Sequence, residues 1–166
     1  LETIRRERDP DYTPTCFPAG TVVLAADGPR PIETIRRGDL VRSFNSESGV
    51  WDEQRVTELF VHDFEGQLIT IAVNGSQITA TDNHPFWVAD VSRPGGGSWR
   101  EAADLRVGAR LLSADNEPVM IEARSSREAN LTVYNFEVEQ THTYAVGSSA
   151  VLVHNKGGRE VTPSEP

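Results

Sequence analysis

Residues 67–81 read QLITIAVNGSQITAT, two runs rich in Ile, Val and Thr on either side of Asn74-Gly75. β-Branched side chains suit a pleated, half-buried surface, and both residues of an Asn-Gly pair accept φ > 0, so the stretch predicts a β-hairpin. Outward from it, short β-type runs recur with turn signals at intervals of roughly ten residues, the pattern of an all-β fold. On the N-terminal side strands are expected over 21–24, 40–44 and 54–61, with turns at Asp27-Gly28-Pro29, Asn45-Ser46 and Asp63-Phe64-Glu65-Gly66. On the C-terminal side they are expected over 110–113, 119–123, 133–138, 143–146 and 150–153. Pro94-Gly95-Gly96-Gly97 reads as a flexible loop and 101–105 as one helical turn; no long helix is expected.

The chain of 166 residues amounts to about one domain. Its ends, LETIRRERDPDYTPT (1–15) and KGGREVTPSEP (156–166), combine prolines, glycines and alternating charges and do not read as packed structure, which leaves 16–155 as the expected domain. A weak internal repeat runs through it. At a shift of 70, Ile35-Arg36-Arg37-Gly38 falls on Leu105-Arg106-Val107-Gly108; at a shift of 65, residues 68–73 fall on 133–138. Such a repeat predicts two similar β units packed face to face, related by a pseudo-two-fold.

Charge and composition exclude several functions. Lys+Arg 16 against Asp+Glu 25 gives a net charge of −9, which repels a phosphate backbone, so no nucleic-acid partner is expected. The apolar runs are far shorter than the ~20 residues of a membrane helix, and Arg5, Arg6 and Arg8 precede no apolar stretch, so neither a membrane span nor a signal peptide is expected. One cysteine, Cys16, excludes an internal disulfide and a zinc site made of several thiolates.

Four places could carry chemistry: Cys16, His84 in Thr81-Asp82-Asn83-His84-Pro85, His142 in Thr141-His142-Thr143-Tyr144, and His154-Asn155. Taken singly, a histidine in a β protein is more often structural, and His62 is read that way. Together they resemble a family. Residues 16–23 (CFPAGTVV) resemble the opening motif of Hint domains, the fold of inteins, bacterial intein-like domains and hedgehog autoprocessing domains. Thr81-x-x-His84-Pro85, then VYNFEV (133–138) with His142, then VLVHN (151–155) follow in that family's order. The likeness spans 16–155 and is to the compact intein-like and pretoxin Hint domains of bacterial secreted proteins. Only about fifty residues separate the second and third motifs, so no homing endonuclease is inserted.

The resemblance implies a horseshoe-like all-β fold and a monomer without cofactor whose substrate is its own flanking polypeptide. The flanks would then be stubs of a host, part of a secreted or surface protein. A thiol one bond beyond the Thr15 carbonyl can attack it through a five-membered ring and exchange the amide for a thioester; such placement can supply ~7–11 kcal/mol of the barrier. Resemblance assigns His84 to protonate the departing nitrogen and Thr81 to steady the oxyanion. At the other end, the Asn155 carboxamide can attack its own carbonyl and release Lys156, assisted by His142 and His154.

Two departures shape the expected outcome. Splicing inteins carry Cys, Ser or Thr where this chain has Lys156, whose amine is protonated at pH 7, so two separate cleavages are expected rather than splicing. Asn135 stands where many inteins have Asp; an amide can position a neighbour but cannot act as a base. The rival readings are a splicing-competent intein, a cysteine hydrolase acting in trans, a zinc module using Cys16, His84, His142 and His154, with zinc inhibitory in this fold, and a decayed β spacer.

Overall fold

The hairpin at 67–81 is present, but its first arm is much longer than the sequence indicates. The computed structural model describes residues 4–5, 15–93 and 95–155. The flank residues 6–14 and 156–166, the downstream junction residue Lys156 and Pro94 of the glycine loop lie outside them. In chain order the strands are β1 (Ile4–Arg5), β2 (Phe17–Pro18), β3 (Val22–Ala25), β4 (Gly28–Pro31), β5 (Leu40–Asn45), β6 (Val50–Val73) and β7 (Ser76–Thr81). They continue as β8 (Pro85–Ala89), β9 (Gly97–Glu101), β10 (Arg110–Leu112), β11 (Pro118–Val138), β12 (Thr143–Val146) and β13 (Val151–His154). β7 folds back on β6 from Ser76↔Val73 to Thr81↔Leu68, and Asn74 and Gly75 take φ of 50° and 80°.

The turn expected at Asp63–Gly66 is absent: β6 runs through it for 24 residues. Each of these residues is paired with β11 (Asp63↔Thr132, Phe64↔Leu131, Glu65↔Asn130, Gly66↔Ala129), so the long-range ladder satisfies a backbone that local chemistry would have turned. Phe64 is buried over Gly66, where a Cβ would lie 3.0 Å from the ring. β11 likewise continues through 124–132, which the sequence leaves unassigned. Strands β8 and β9 were not expected. Gly97 belongs to β9 rather than to a loop, because the Trp87 ring of β8 lies over it and leaves no room for a side chain. The helical turn at 101–105 is a short 3₁₀ turn, Ala102–Asp104.

Hydrogen bonds bear out the repeat. Ile35 and Leu105 N–H close matching 3₁₀ turns onto Ile32 and Ala102 O. Gly38 N–H reaches Val56 O and Gly108 N–H reaches Ile121 O, both at 2.8 Å. The two glycines have nearly equal φ of 94° and 96°. The β6–β11 ladder runs from Val56↔Val138 to Ile121↔Val73, ends that the 65-residue shift interchanges. Elsewhere the halves interleave: β3 pairs β12 and β2 pairs β11, so the start of the chain is built into its end. One apolar core drawn from both halves includes Phe17, Val56, Phe86, Leu111, Phe136 and Tyr144.

Candidate active site

β2 pairs Phe17 with Tyr134 and Pro18 with Val133, which brings the preceding Thr15–Cys16 peptide beside Asn135. The Asn135 Nδ2 donates to Thr15 O, across 120 residues of chain. Its Oδ1 accepts from Phe136 N–H and from the Tyr144 hydroxyl, each at 2.7 Å, and these two donors decide which end of the carboxamide faces Thr15. On the other side of the peptide, Cys16 N–H donates to Thr81 Oγ1 at 3.0 Å, Thr81 N–H donates to Cys16 O, and the Thr81 hydroxyl donates to Asn83 Oδ1 at 2.9 Å. Both polar atoms of the Thr15–Cys16 amide are therefore held by side chains in a buried setting. Sequence reasoning put Thr81 at the carbonyl oxygen. The structure puts it at the nitrogen and gives the oxygen to Asn135, because Thr81 ends β7 where that strand meets Cys16.

The Cys16 side chain sits among Phe64, Leu68 and Val133. Burial pushes its thiol well above the ordinary range, so the thiol is protonated at neutral pH. Burial, and secondarily the neighbouring Cys16, push the Tyr144 phenol up, which keeps it a neutral donor. His84 follows a tight turn in which its N–H reaches Thr81 O at 3.1 Å. Its fully buried ring packs 4.2 Å from that of Phe17, the residue after Cys16, and its Nδ1 lies 3.4 Å from Pro85 O.

At the downstream end, β12 and β13 pair Thr143 with His154, so His142 and Asn155 come together just past the ladder, where Asn155 N–H donates to His142 O at 2.7 Å. Gln140 and His142 take φ of 66° and 57°, a strained turn that Thr143 Oγ1 anchors to β5 through Phe44 N–H and O. Asn155 is buried, and its carboxamide nitrogen has no hydrogen-bond partner among the described residues. The half-exposed His142 sets Nδ1 3.5 Å from Glu137 Oε2. The His154 ring lies 6.4 Å from that of His142 and stands edge-on to Trp99 at 5.1 Å.

The two ends share a wall. Tyr144, which meets Asn135, sits opposite Val153 on β13, and Val153 in turn pairs with Phe86, two residues beyond His84. Sequence reasoning missed Tyr144, Phe17, Asn83, Glu137 and Trp99. Tyr144 carried a signal, a phenol two residues after His142 in the strand Thr143–Val146. Among the described residues no three His, Cys, Asp or Glu side chains form a set able to hold a metal ion, so Cys16, His84, His142 and His154 do not converge on one zinc. His62 is buried on β6, opposite Val133.

The model of the pretoxin Hint domain matches residues 22–156. The chain is similar to the bacterial intein-like domain of Clostridium thermocellum, at 36% identity and a TM-score of 0.78, over 87% of this chain and 100% of that one. It shares its fold with a DnaB intein from Synechocystis sp. PCC 6803, at 15% identity, a TM-score of 0.70, and coverage of 85% and 98%. Iron–sulfur cluster assembly SufBD family proteins of Mycobacterium tuberculosis and Mycobacterium bovis are 32% identical over 133 residues, which is 74% of this chain. The chain spans only 14% of the length of those relatives.

Proposed function

Because the chain belongs to the pretoxin Hint domain family, we propose that it is a self-processing domain that cuts the two peptide bonds bracketing residues 16–155, at Thr15–Cys16 and Asn155–Lys156. The observation that carries this reading is the double hold on the upstream amide, Asn135 Nδ2 on its oxygen and Thr81 Oγ1 on its N–H. An ordinary buried peptide is satisfied by backbone. Here a side chain from β11 meets its carbonyl oxygen and one from β7 its N–H, next to a thiol.

In the upstream step Cys16 Sγ attacks the Thr15 carbonyl carbon. Charge grows on the oxygen that Asn135 already contacts, and a donor so placed is worth about 2.7–4 kcal/mol in the transition state. The C–N bond breaks, and the proton leaving the thiol is matched by one gained at the amine. His84, beside Phe17, is the group suited to relay it, since an imidazole both gives and takes a proton near neutrality. A protonated resting thiol fits this relay and guards against premature attack. Water then hydrolyses the thioester to a Thr15 carboxylate and the free Cys16 thiol.

In the downstream step Asn155 Nδ2 attacks its own carbonyl carbon, closes a succinimide and releases Lys156 as an amine. A buried carboxamide nitrogen with no hydrogen-bond partner among the described residues supports that role. His142, held to Glu137, and His154, backed by Trp99, are the acid–base groups nearest by chain and by packing. With Lys156 after Asn155, no acyl acceptor follows, so the two cuts end without ligation. The host and its payload lie in the segments beyond the domain.

The test is intact mass after expression with both flanks enlarged. Cys16→Ala should preserve the upstream junction and still be cut downstream, and Asn155→Ala the reverse. A flank-to-flank ligated product, or loss of both cuts in either variant, would replace this reading with coupled splicing.

A further inference from the structure

We propose that Tyr144 is the positioning residue of the upstream cut: its hydroxyl sets the Asn135 carboxamide so that Nδ2, not Oδ1, meets the Thr15 carbonyl. The inference rests on the reading of Asn135 as the donor to that oxygen. A carboxamide has two ends of nearly equal size and opposite polarity. Turned over, it would set its own lone pairs against those of Thr15 O and polarise nothing.

Two donors oppose that inversion, the Phe136 N–H and the Tyr144 hydroxyl, both 2.7 Å from Oδ1. The first is backbone adjacent to Asn135 and moves with it. The second comes from another strand and is held rigidly. The Tyr144 ring is fully buried, 4.2 Å from Phe136 at 31° and 6.3 Å from Phe17 at 70°, which fixes its oxygen in space. Donation to Oδ1 also draws electron density from the amide and makes Nδ2–H the stronger donor to Thr15 O. The hydrogen bond of the Tyr144 hydroxyl goes to Asn135 Oδ1, and it is through Asn135 that it acts on the Thr15 carbonyl. Because β12 is the partner of β13, the upstream amide is prepared only when the strand leading to the downstream cut is in place.

A double-mutant cycle on the precursor with enlarged flanks, in an Asn155→Ala background, tests this. The readout is the rate of dithiothreitol-induced release of the upstream flank, with thermal melting alongside. Asn135→Ala should slow release about 10²–10³-fold, the loss of one oxyanion donor. Tyr144→Phe, which keeps the ring and removes one buried hydrogen bond, should slow it about five- to tenfold, and the double variant should be no slower than Asn135→Ala alone. In a Cys16→Ala precursor, which holds the upstream bond intact, Tyr144→Phe should shift the Asn135 side-chain amide resonances, a change that ring packing alone would not produce. Wild-type release in Tyr144→Phe with slow release in Asn135→Ala would overturn the role of Tyr144 and leave that of Asn135. Wild-type release in Asn135→Ala would overturn the reading beneath both. Additive losses in the double variant would show Tyr144 acting elsewhere and overturn the proposal.

Discussion

Replacing Asn135 by Asp should convert the upstream cut into an acid-dependent one. In the native site the residue is 2% exposed, one end of its carboxamide receives two donors at 2.7 Å, and the other end donates to Thr15 O. A carboxyl of the same shape keeps the first set of contacts in either ionisation state. Only when protonated can it donate to Thr15 O; ionised, it faces that oxygen with a negative charge. Burial and the facing carbonyl raise the carboxyl pKa above its ordinary ~3.9, and the two donors on the far oxygen lower it again. The direction of the rate effect is the same wherever the balance falls. Well above that pKa the variant has lost one oxyanion donor, a loss of about 10²–10³-fold. As pH falls toward it, the ratio of variant to wild-type rate should climb about tenfold per unit and then level off. Taking the ratio removes the pH dependence that the two proteins share, such as that of the dithiothreitol thiolate. The assay is upstream release by dithiothreitol in an Asn155→Ala background between pH 5 and pH 8 (about the range where histidines also titrate), followed by intact mass, with melting at each pH to confirm folding. A ratio independent of pH, or a variant as fast as wild type at the alkaline end, would refute the assignment of the Thr15 oxygen to Asn135.

Two further outcomes follow from packing. The thiol of Cys16, buried and pushed up in pKa, should react with iodoacetamide at pH 8 at least about tenfold more slowly in the folded precursor than in urea, since each unit of upward shift removes about nine-tenths of the thiolate; equal rates would place the thiol in solvent. Gly38→Ala and Gly108→Ala should each cost about 1–2 kcal/mol in urea unfolding, because both glycines hold left-handed φ at equivalent positions of the repeat with open space around them, so that strain alone decides the loss; a large difference between them would deny the equivalence.

What the sequence made legible was whatever is encoded locally. The Asn74-Gly75 turn, the β-branched arms around it and the paired glycines at 38 and 108 announce themselves because φ preference and side-chain branching act within a few residues. The long ladder does not. Asp63-Phe64-Glu65-Gly66 has every local mark of a turn, and it is straightened by a partner strand more than sixty residues away, where Phe64 fills the space above Gly66. Trp87 over Gly97 hid β9 in the same way. At the site, residue types do not say which atom of the Thr15–Cys16 peptide each side chain meets. Thr81, expected at the carbonyl oxygen, meets the N–H, and Asn135, given no atom of that peptide in advance, meets the oxygen, because strand register, not composition, decides where a side chain arrives. Tyr144 was overlooked for a related reason: a phenol in a strand looks like core until its hydroxyl is seen to have a partner.

That dependence on register bears on timing. The acceptor for the Cys16 N–H lies 65 residues downstream of it and the donor to the Thr15 carbonyl 120 residues downstream, so neither partner can be recruited by local structure. Closing loops of such length costs conformational entropy that only the assembled core repays, and pairings of high sequence separation form late. An emerging chain whose β2 has no β11 therefore presents Thr15–Cys16 as an ordinary amide, resonance-stabilised and free of a polarising donor. Under the proposed function, the amide becomes reactive only when β11 and β12 have been laid down and Tyr144 has met Asn135, and β12 in turn is held by β13. Under the proposed function, a nucleophile at the start of the domain and the groups that activate its target near the end would make completion of the fold the condition for cutting.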